Sequence, residues 1–194
     1  MITYLGKMSN ENFQKLTQVG LSHPNFEILG KDTEFSESCK CENSSAFILF
    51  TNYLSIQSPI KCYDCGFPIP LYRIKQKKAE QLSFALGWQG EYKACDLLQM
   101  HCGFGERFGI SQMSKLDSGL SKTGLEICQT IQDLTNKPCY YYLYRHNGKS
   151  LSKESESRCP LCASKWLLEN PFQDLFDFRC DKCHLLSNIA FSLK

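Results

Sequence analysis

At 194 residues, with 42% hydrophobic residues, 22% charged residues, 13 Phe and 9 Tyr, the chain has the composition of a globular protein, which excludes the disordered and fibrous classes. Its formal net charge of +2 is too small to indicate nucleic-acid binding by itself. Aliphatic and aromatic runs such as residues 46–50 are far too short to cross a bilayer.

The first predicted elements are a helix and two strands. Asn10 can cap a helix, and apolar residues follow it at helical spacing as far as Val19. Residues 25–29 and 45–54 are rich in Phe, Ile and Leu, which predicts two strands. The polar loop between these strands carries a CxC pair, Cys39 and Cys41.

A CxxC pair, Cys62 and Cys65, follows the second strand, and Gly66 supplies the permissive residue that a metal knuckle favours after its second thiolate. Together with Cys39 and Cys41 upstream, the pair predicts a zinc site. Other residues that could complete such a site are Cys95, His101 and Cys102. The alternative is a redox dithiol beside an incidental CxC pair, although Pro68 and Pro70 disfavour the strand-to-helix context of thioredoxin-type sites.

A basic run follows Tyr72 and consists of Arg73, Lys75, Lys77 and Lys78. Such cations can track a phosphate backbone while the tyrosine ring stacks on a base, so these five residues are candidate nucleic-acid contacts. The same composition is also typical of a solvated surface segment. Basic residues outnumber acidic ones by 12 to 8 between residues 61 and 150, whereas residues 151–194 carry 6 of each.

Two helices and a strand come next. Apolar side chains that include Trp88 and Tyr92 recur every three or four residues over 79–102, which predicts a long amphipathic helix with these two rings in the core. A second helix is predicted over 118–134, and Pro138 then opens a strand over 139–144. We expect Cys95, Cys128 and Cys139 to be small buried side chains.

Two more CxxC pairs lie near the end of the sequence. Cys159 and Cys162 are separated from Cys180 and Cys183 by 17 residues, a spacing that brings two turns onto one tetrahedral ion. Residues 158–188 therefore predict a four-cysteine zinc ribbon around one structural Zn²⁺, with Trp166, Phe176 and Phe178 among its packing residues. Unpaired buried cysteines and an iron–sulfur cluster remain as alternatives, although cluster spacings are usually more compact.

Two residues beside these cysteines qualify the ribbon prediction. His184 follows Cys183, but four thiolates already fill a tetrahedron, so we expect a surface or packing histidine. Ala163 stands where such turns often carry glycine, which implies slight backbone strain.

The domain prediction combines these elements. Helices and strands are mixed without regular βαβ alternation, which predicts an α+β domain over residues 1–148, followed by the ribbon over 149–194. The polar stretch 145–157 is interpreted as a linker. Residues 1–7 show no apolar export segment behind a basic start, so we expect a cytoplasmic protein in a reducing compartment, with its 12 cysteines free of disulfides.

Five segments together carry a family resemblance: Ser58–Cys65, Ile69–Arg73, Ala94–Met100, Tyr140–Leu143 and Arg158–Cys162. In combination they resemble a bacterial family of zinc-ribbon proteins of unknown function, for which nucleic-acid binding is a conjecture. The resemblance spans Phe47 to Ala190. It implies a C-terminal ribbon in a bacterial cytoplasmic protein and supplies no substrate.

Two functional hypotheses follow. The first is a non-enzymatic zinc-ribbon protein that binds nucleic acid, motivated by the ribbon and the basic run. The second is a protein-interaction module, an adaptor or inhibitor in which the ribbon is a scaffold, favoured by the near-neutral charge. We expect no enzyme activity, because the chain has no phosphate-binding glycine loop, nucleophile elbow or HExxH helix. We expect no membrane partner, because no apolar run is long enough to span a bilayer. The cofactor prediction is one Zn²⁺ in the ribbon and a second at the upstream cysteines.

Overall fold

A computed structural model describes residues 10–20, 22, 37–74, 82–101 and 103–193. The chain divides into two compact units, residues 1–36 and 37–194. In the first unit the described element is α1, Asn10–Gln18, with Gly20 just beyond it in a left-handed conformation (φ +75°). The predicted strand 25–29 lies outside the described residues.

The second unit is built on one six-stranded sheet with the strand order β2-β1-β3-β6-β5-β4. The strands are β1 Phe47–Leu49, β2 Ile60–Cys62, β3 Cys139–Leu143, β4 Leu167–Phe172, β5 Phe176–Cys180 and β6 Leu185–Ser187. β3 runs parallel to β1 and β6, whereas the β1–β2, β5–β6 and β4–β5 pairs are antiparallel. This mixed α/β architecture agrees with the predicted class.

The helices of this unit come mainly between β1 and β3. They are α2 Ser83–His101, α3 Glu106–Ser114 and α4 Gly119–Thr135, followed after β3 by the short α5, Leu151–Ser155; 3₁₀ turns span Leu71–Arg73 and Phe191–Leu193. The Ser118 side chain accepts the N–H of Ser121 at the start of α4, and Asn136 in a left-handed conformation ends it. Within the described residues, none of the helices combines the length and the apolar character that a membrane crossing requires.

The core lies between the sheet and helices α2 and α4. All five residues of β3 are buried, as expected for a central strand covered on both faces. Tyr141 packs toward α4, where its hydroxyl lies 3.2 Å from the Ser121 hydroxyl. Trp88 and Tyr92 are 2% and 3% exposed, which confirms that they are core residues. Cys95, Cys128 and Cys139 are buried as well.

The sheet continues past the domain boundary predicted at residue 148. Tyr141 and Leu143 of β3 pair in register with Leu185 and Ser187 of β6, so the segments before and after residue 148 share one sheet. The stretch predicted as a linker contains α5, in which the buried Glu154 accepts a hydrogen bond from Arg145 at 2.7 Å. A buried carboxylate needs such a partner, so this stretch contains a buried ion pair that its polar composition did not indicate.

Candidate metal centres

The described chain holds two groups of four cysteines whose sulfur atoms lie within 4.8 Å of one another. The first group, the N-terminal cluster, is Cys39, Cys41, Cys62 and Cys65; the second, the C-terminal cluster, is Cys159, Cys162, Cys180 and Cys183. Four thiolates at about 2.3 Å from one zinc ion stand about 3.8 Å apart in a regular tetrahedron. Both groups could therefore hold a metal ion.

Strand ends and tight turns form the N-terminal cluster. β2 ends at Cys62, and the chain then turns so that the N–H of Gly66 donates to the Cys62 carbonyl at 2.9 Å. Gly66 has φ +74°, a conformation that costs glycine little. The Cys39 N–H donates to the carbonyl of Pro68 at 2.9 Å, which ties the CxC loop to the segment after the knuckle.

Arg73 also holds the CxC loop in place. Its guanidinium donates to the carbonyl oxygens of Cys39 and Cys41, the latter at 2.9 Å. A planar guanidinium is suited to such a two-point contact. Arg73, predicted as a nucleic-acid contact, is thus engaged with the backbone of the N-terminal cluster.

Hydrogen bonds set the acidity of the thiols in the N-terminal cluster. Burial raises the pKa of Cys62, but bonds from Ser44 and from the N–H groups of Cys65 and Asp64 outweigh it, so that its pKa lies below the ordinary value. Burial raises the pKa of Cys65 to about 12. Cys62 is therefore readier to ionise than Cys65, because hydrogen bonds favour the Cys62 thiolate whereas burial disfavours that of Cys65.

The C-terminal cluster repeats this turn after Cys159, and a residue with positive φ follows each of its two CxxC pairs. The Ala163 N–H donates to the Cys159 carbonyl at 2.8 Å. Ala163 and His184 follow the second cysteine of their CxxC pairs and have φ of 56° and 49°. Both knuckles thus have a left-handed residue after the second cysteine, although neither residue is glycine. The sulfurs of Cys162 and Cys180 lie 3.5 Å apart.

Ser164 is the main polar neighbour of these sulfurs. Its side chain and backbone hydrogen bonds lower the pKa of Cys162 to about 6, whereas burial raises the pKa of Cys183. Burial also raises the pKa of Cys159, against the opposing bonds from the Leu161 and Cys162 N–H groups. N–H groups aimed at sulfur favour the thiolate, which is the form that binds metal.

The other predicted site residues are placed differently. Cys95 and His101 belong to neither cluster, and Cys102 lies outside the described residues. Tyr72 is 58% exposed in a 3₁₀ turn, and the rest of the basic run, Lys75, Lys77 and Lys78, lies outside the described residues. The structure therefore describes Tyr72 and Arg73 of the five candidate nucleic-acid contacts.

The sequence did not predict several side chains that form hydrogen bonds around the N-terminal cluster. The Asp64 carboxylate accepts the N–H of Ser45 at 2.7 Å and also its hydroxyl, which joins the CxxC turn to the segment before β1. Ser44 lies 3.2 Å from the Cys62 sulfur. An aspartate inside a CxxC turn is a readable signal for a capping contact, but its serine partner lies 19 positions away.

Comparison with known proteins identifies relatives over most of the chain. A domain of unknown function, DUF2310, matches residues 41–144, and a second, DUF8594, matches residues 148–193. Two uncharacterized proteins of Haemophilus influenzae are each 33% identical to this chain: one over 94% of the chain and 70% of its own length, the other over 91% and 87%. No solved structure matches.

Proposed function

We propose a function on the premise that this chain belongs to the family defined by the domain of unknown function DUF2310. The protein is a non-enzymatic binding protein that two structural Zn²⁺ ions stabilise. Residues 158–188 form a zinc ribbon in this proposal, with Cys159, Cys162, Cys180 and Cys183 as ligands. The second ion is bound by Cys39, Cys41, Cys62 and Cys65.

The observation that carries this proposal is the repeated knuckle geometry. Each of the three CxxC pairs is followed by a residue with positive φ, namely Gly66, Ala163 and His184. In the first two knuckles this residue donates its N–H to the carbonyl of the first cysteine, and N–H groups within the turn bond that cysteine's sulfur. Such turns gather thiolates for a tetrahedral cation that prefers sulfur ligands, as zinc does.

A structural rather than catalytic role follows from the ligand count. Four cysteine ligands fill a tetrahedral zinc shell and leave no position for an activated water. Metal binding instead adds folding free energy, on the order of 10 kcal/mol for a structural site. The polar CxC loop gains most from this energy, because it has few apolar groups with which to order itself.

Native mass spectrometry tests the metal assignment. We expect two zinc ions per chain, one ion after Cys62→Ser with Cys65→Ser, and one ion after Cys159→Ser with Cys162→Ser. Cys95→Ser is the matched control, because this buried cysteine lies outside both clusters, and it should keep two ions. One ion in the unaltered protein would reject the N-terminal site.

Nucleic acid is the ligand we propose for Tyr72 and the lysines that follow it in the sequence. The support is the family resemblance, the exposed Tyr72 and the three lysines that follow Arg73. Arg73 serves the cluster in this proposal, so the lysines carry the phosphate contacts. The Tyr72 ring would stack on a base.

Affinity for RNA and for DNA, measured over a series of salt concentrations, tests the nucleic-acid proposal. Changing Lys75, Lys77 and Lys78 to Ala should weaken binding and reduce the salt slope by about 0.7 to 0.9 for each phosphate that the variant no longer neutralises. Lys122→Ala, an exposed lysine on α4, should leave both unchanged. Absence of binding at low ionic strength would remove the proposal.

A protein partner is the second candidate, and one surface favours it. Exposed apolar residues lie in the second half of α2, in the turn after it and at the start of α3; they are Leu97, Met100, Phe104 and Phe108, with Phe104 93% exposed. Apolar patches of this kind mark interaction sites. A protein retained after nuclease treatment and lost on Phe104→Ser, but not on Leu54→Ser at another exposed apolar position, would favour this candidate over nucleic acid.

A further inference from the structure

A cleft of about 460 Å³ lies beside α3, away from the residues that form the cysteine clusters. One wall is a stripe of α3 and the residue after it, Arg107, Ser111, Ser114 and Lys115, whose three- and four-residue spacing places them on one helical face. The other wall is the chain that leaves β3, with Tyr144 and His146. The volume is within the range of small-molecule sites, about 300 to 1,000 Å³.

The charged residues that line the cleft are all basic. Arg107, Lys115 and Arg145 line it together with His146, and none of its lining residues is acidic. The Arg145 guanidinium is already paired with Glu154 at 2.7 Å. Arg107 and Lys115 form no ion pair within the described residues, so their charges are available to a ligand.

Hydroxyl and ring groups complete the lining. The Ser114 hydroxyl oxygen is buried and has no hydrogen-bond partner within the described part of the chain, which is costly unless a ligand or water satisfies it. The Tyr144 hydroxyl lies 3.0 Å from Nδ1 of His146, and the His146 ring stacks on Phe191. These contacts hold both rings in place.

The C-terminal end of a helix repels an anion, and hydrogen bonds at the end of α3 weaken this repulsion. The last carbonyls of a helix carry partial negative charge. At the end of α3, however, the Ser111 carbonyl accepts the Lys115 N–H at 3.2 Å, and the Gln112 carbonyl accepts the Ser118 hydroxyl at 2.6 Å. The two available cations then dominate the field in the cleft.

We propose that this cleft binds a small organic phosphate of about mononucleotide size. Arg107 and Lys115 contact the phosphate oxygens, and the Ser114 hydroxyl donates to one of them. Ile110 and Tyr144 supply the apolar surface for the organic part. The site is distinct from the basic run after Tyr72, and it does not depend on whether that run binds a polymer.

Isothermal titration of the full-length, zinc-loaded protein with AMP, ribose 5-phosphate and adenosine tests the proposal. We expect AMP to bind one per chain, and adenosine to bind roughly tenfold more weakly or worse, because it lacks the phosphate that accepts the charge-assisted bonds. Inorganic phosphate should compete with AMP. The proposal is overturned if neither AMP nor ribose 5-phosphate binds at low ionic strength, or if adenosine binds as tightly as AMP.

Variants of the two exposed cations locate the binding. Arg107→Gln and Lys115→Gln are exposed positions, so the variants should fold, and each should weaken AMP binding roughly tenfold. Lys122→Gln removes the same charge from α4 outside the cleft and should change nothing. Equal weakening by all three variants would mean nonspecific attraction and would reject the site.

Discussion

The side-chain amide of Gln173 donates a hydrogen bond to the backbone carbonyl of Tyr63 at 2.7 Å, across 110 residues of sequence. Tyr63 lies inside the first CxxC knuckle, and Gln173 lies in the turn between β4 and β5, the strand that ends at Cys180 of the C-terminal cluster. The tip of this hairpin therefore contacts one cysteine cluster while its far end contributes to the other. Tyr63 and Phe172 add a ring contact with centroids 4.5 Å apart.

The first prediction concerns this hydrogen bond. Gln173→Ala should lower the free energy of unfolding by about 1 kcal/mol, because the carbonyl of Tyr63 loses its donor. Zinc should leave the N-terminal cluster faster, since the knuckle is then less constrained. Release into a chromophoric chelator, followed together with thermal unfolding, measures both effects.

Gln129→Ala is the matched control for this variant. Gln129 is exposed on α4 and bonds Asp133 of the same helix at 2.8 Å, so its removal should leave zinc release unchanged. If both variants release zinc at the rate of the unaltered protein, the hairpin does not support the cluster.

The second prediction tests the close approach of α4 to the sheet. A Cβ at Gly124 would lie 2.3 Å from Cε2 of Tyr141 and 3.1 Å from Nε1 of Trp88. Gly124→Ala should therefore lower the free energy of unfolding by about 1 to 3 kcal/mol through overpacking. Urea unfolding of the zinc-loaded protein provides the measurement.

A second helical glycine gives this prediction an opposite control. A Cβ at Gly90 of α2 would meet nothing within 4 Å, so Gly90→Ala should raise stability by about 0.5 to 1 kcal/mol through helix propensity. If Gly124→Ala and Gly90→Ala lowered the free energy of unfolding equally, the loss at Gly124 would not come from its close packing against Tyr141 and Trp88.

Helices α2 and α4 and the cysteine pairs were readable from the sequence because their signals are local, whereas α3 and α5 were not predicted. The period of apolar residues around Trp88 identified α2, and Pro138 marked the start of β3. Cysteine spacing predicted the sets of residues that the structure brings together. In each case the signal is carried within one turn, strand or helix.

The sheet order was not readable, because it depends on contacts between distant segments. Nothing near Leu185 indicates that it pairs in parallel with Tyr141. The structural role of Arg73 was missed for the same reason, since its carbonyl partners lie 34 and 32 positions away. A polar stretch containing Glu154 was interpreted as a linker because composition does not reveal a buried ion pair.

The third prediction concerns the left-handed residue that follows Cys162 in the C-terminal cluster. Ala163 has φ 56°, which costs an L-residue roughly 1 kcal/mol relative to glycine. Ala163→Gly should therefore raise the stability of the zinc-loaded protein by up to about 1 kcal/mol. Ala94→Gly, at an exposed position in α2, should lower stability by about the same amount. A decrease in stability in both variants would contradict the knuckle conformation.

The last prediction is a decrease in stability in alkali caused by buried tyrosines. Burial raises the pKa of Tyr92, Tyr141 and Tyr142 well above the ordinary value, and that of Tyr144 to about 12. An unfolded chain ionises its tyrosines near pH 10, so above that pH the folded state holds more protons than the unfolded state. The stabilisation is complete below about pH 10 and decreases as pH rises through the folded pKa values.

Urea unfolding over a pH series, with tyrosinate absorbance recorded in parallel, should show stability falling above about pH 10. Absorbance from these buried rings should appear only as the circular dichroism of the fold disappears. Full ionisation of all nine tyrosines in a chain that keeps its native circular dichroism would contradict their burial.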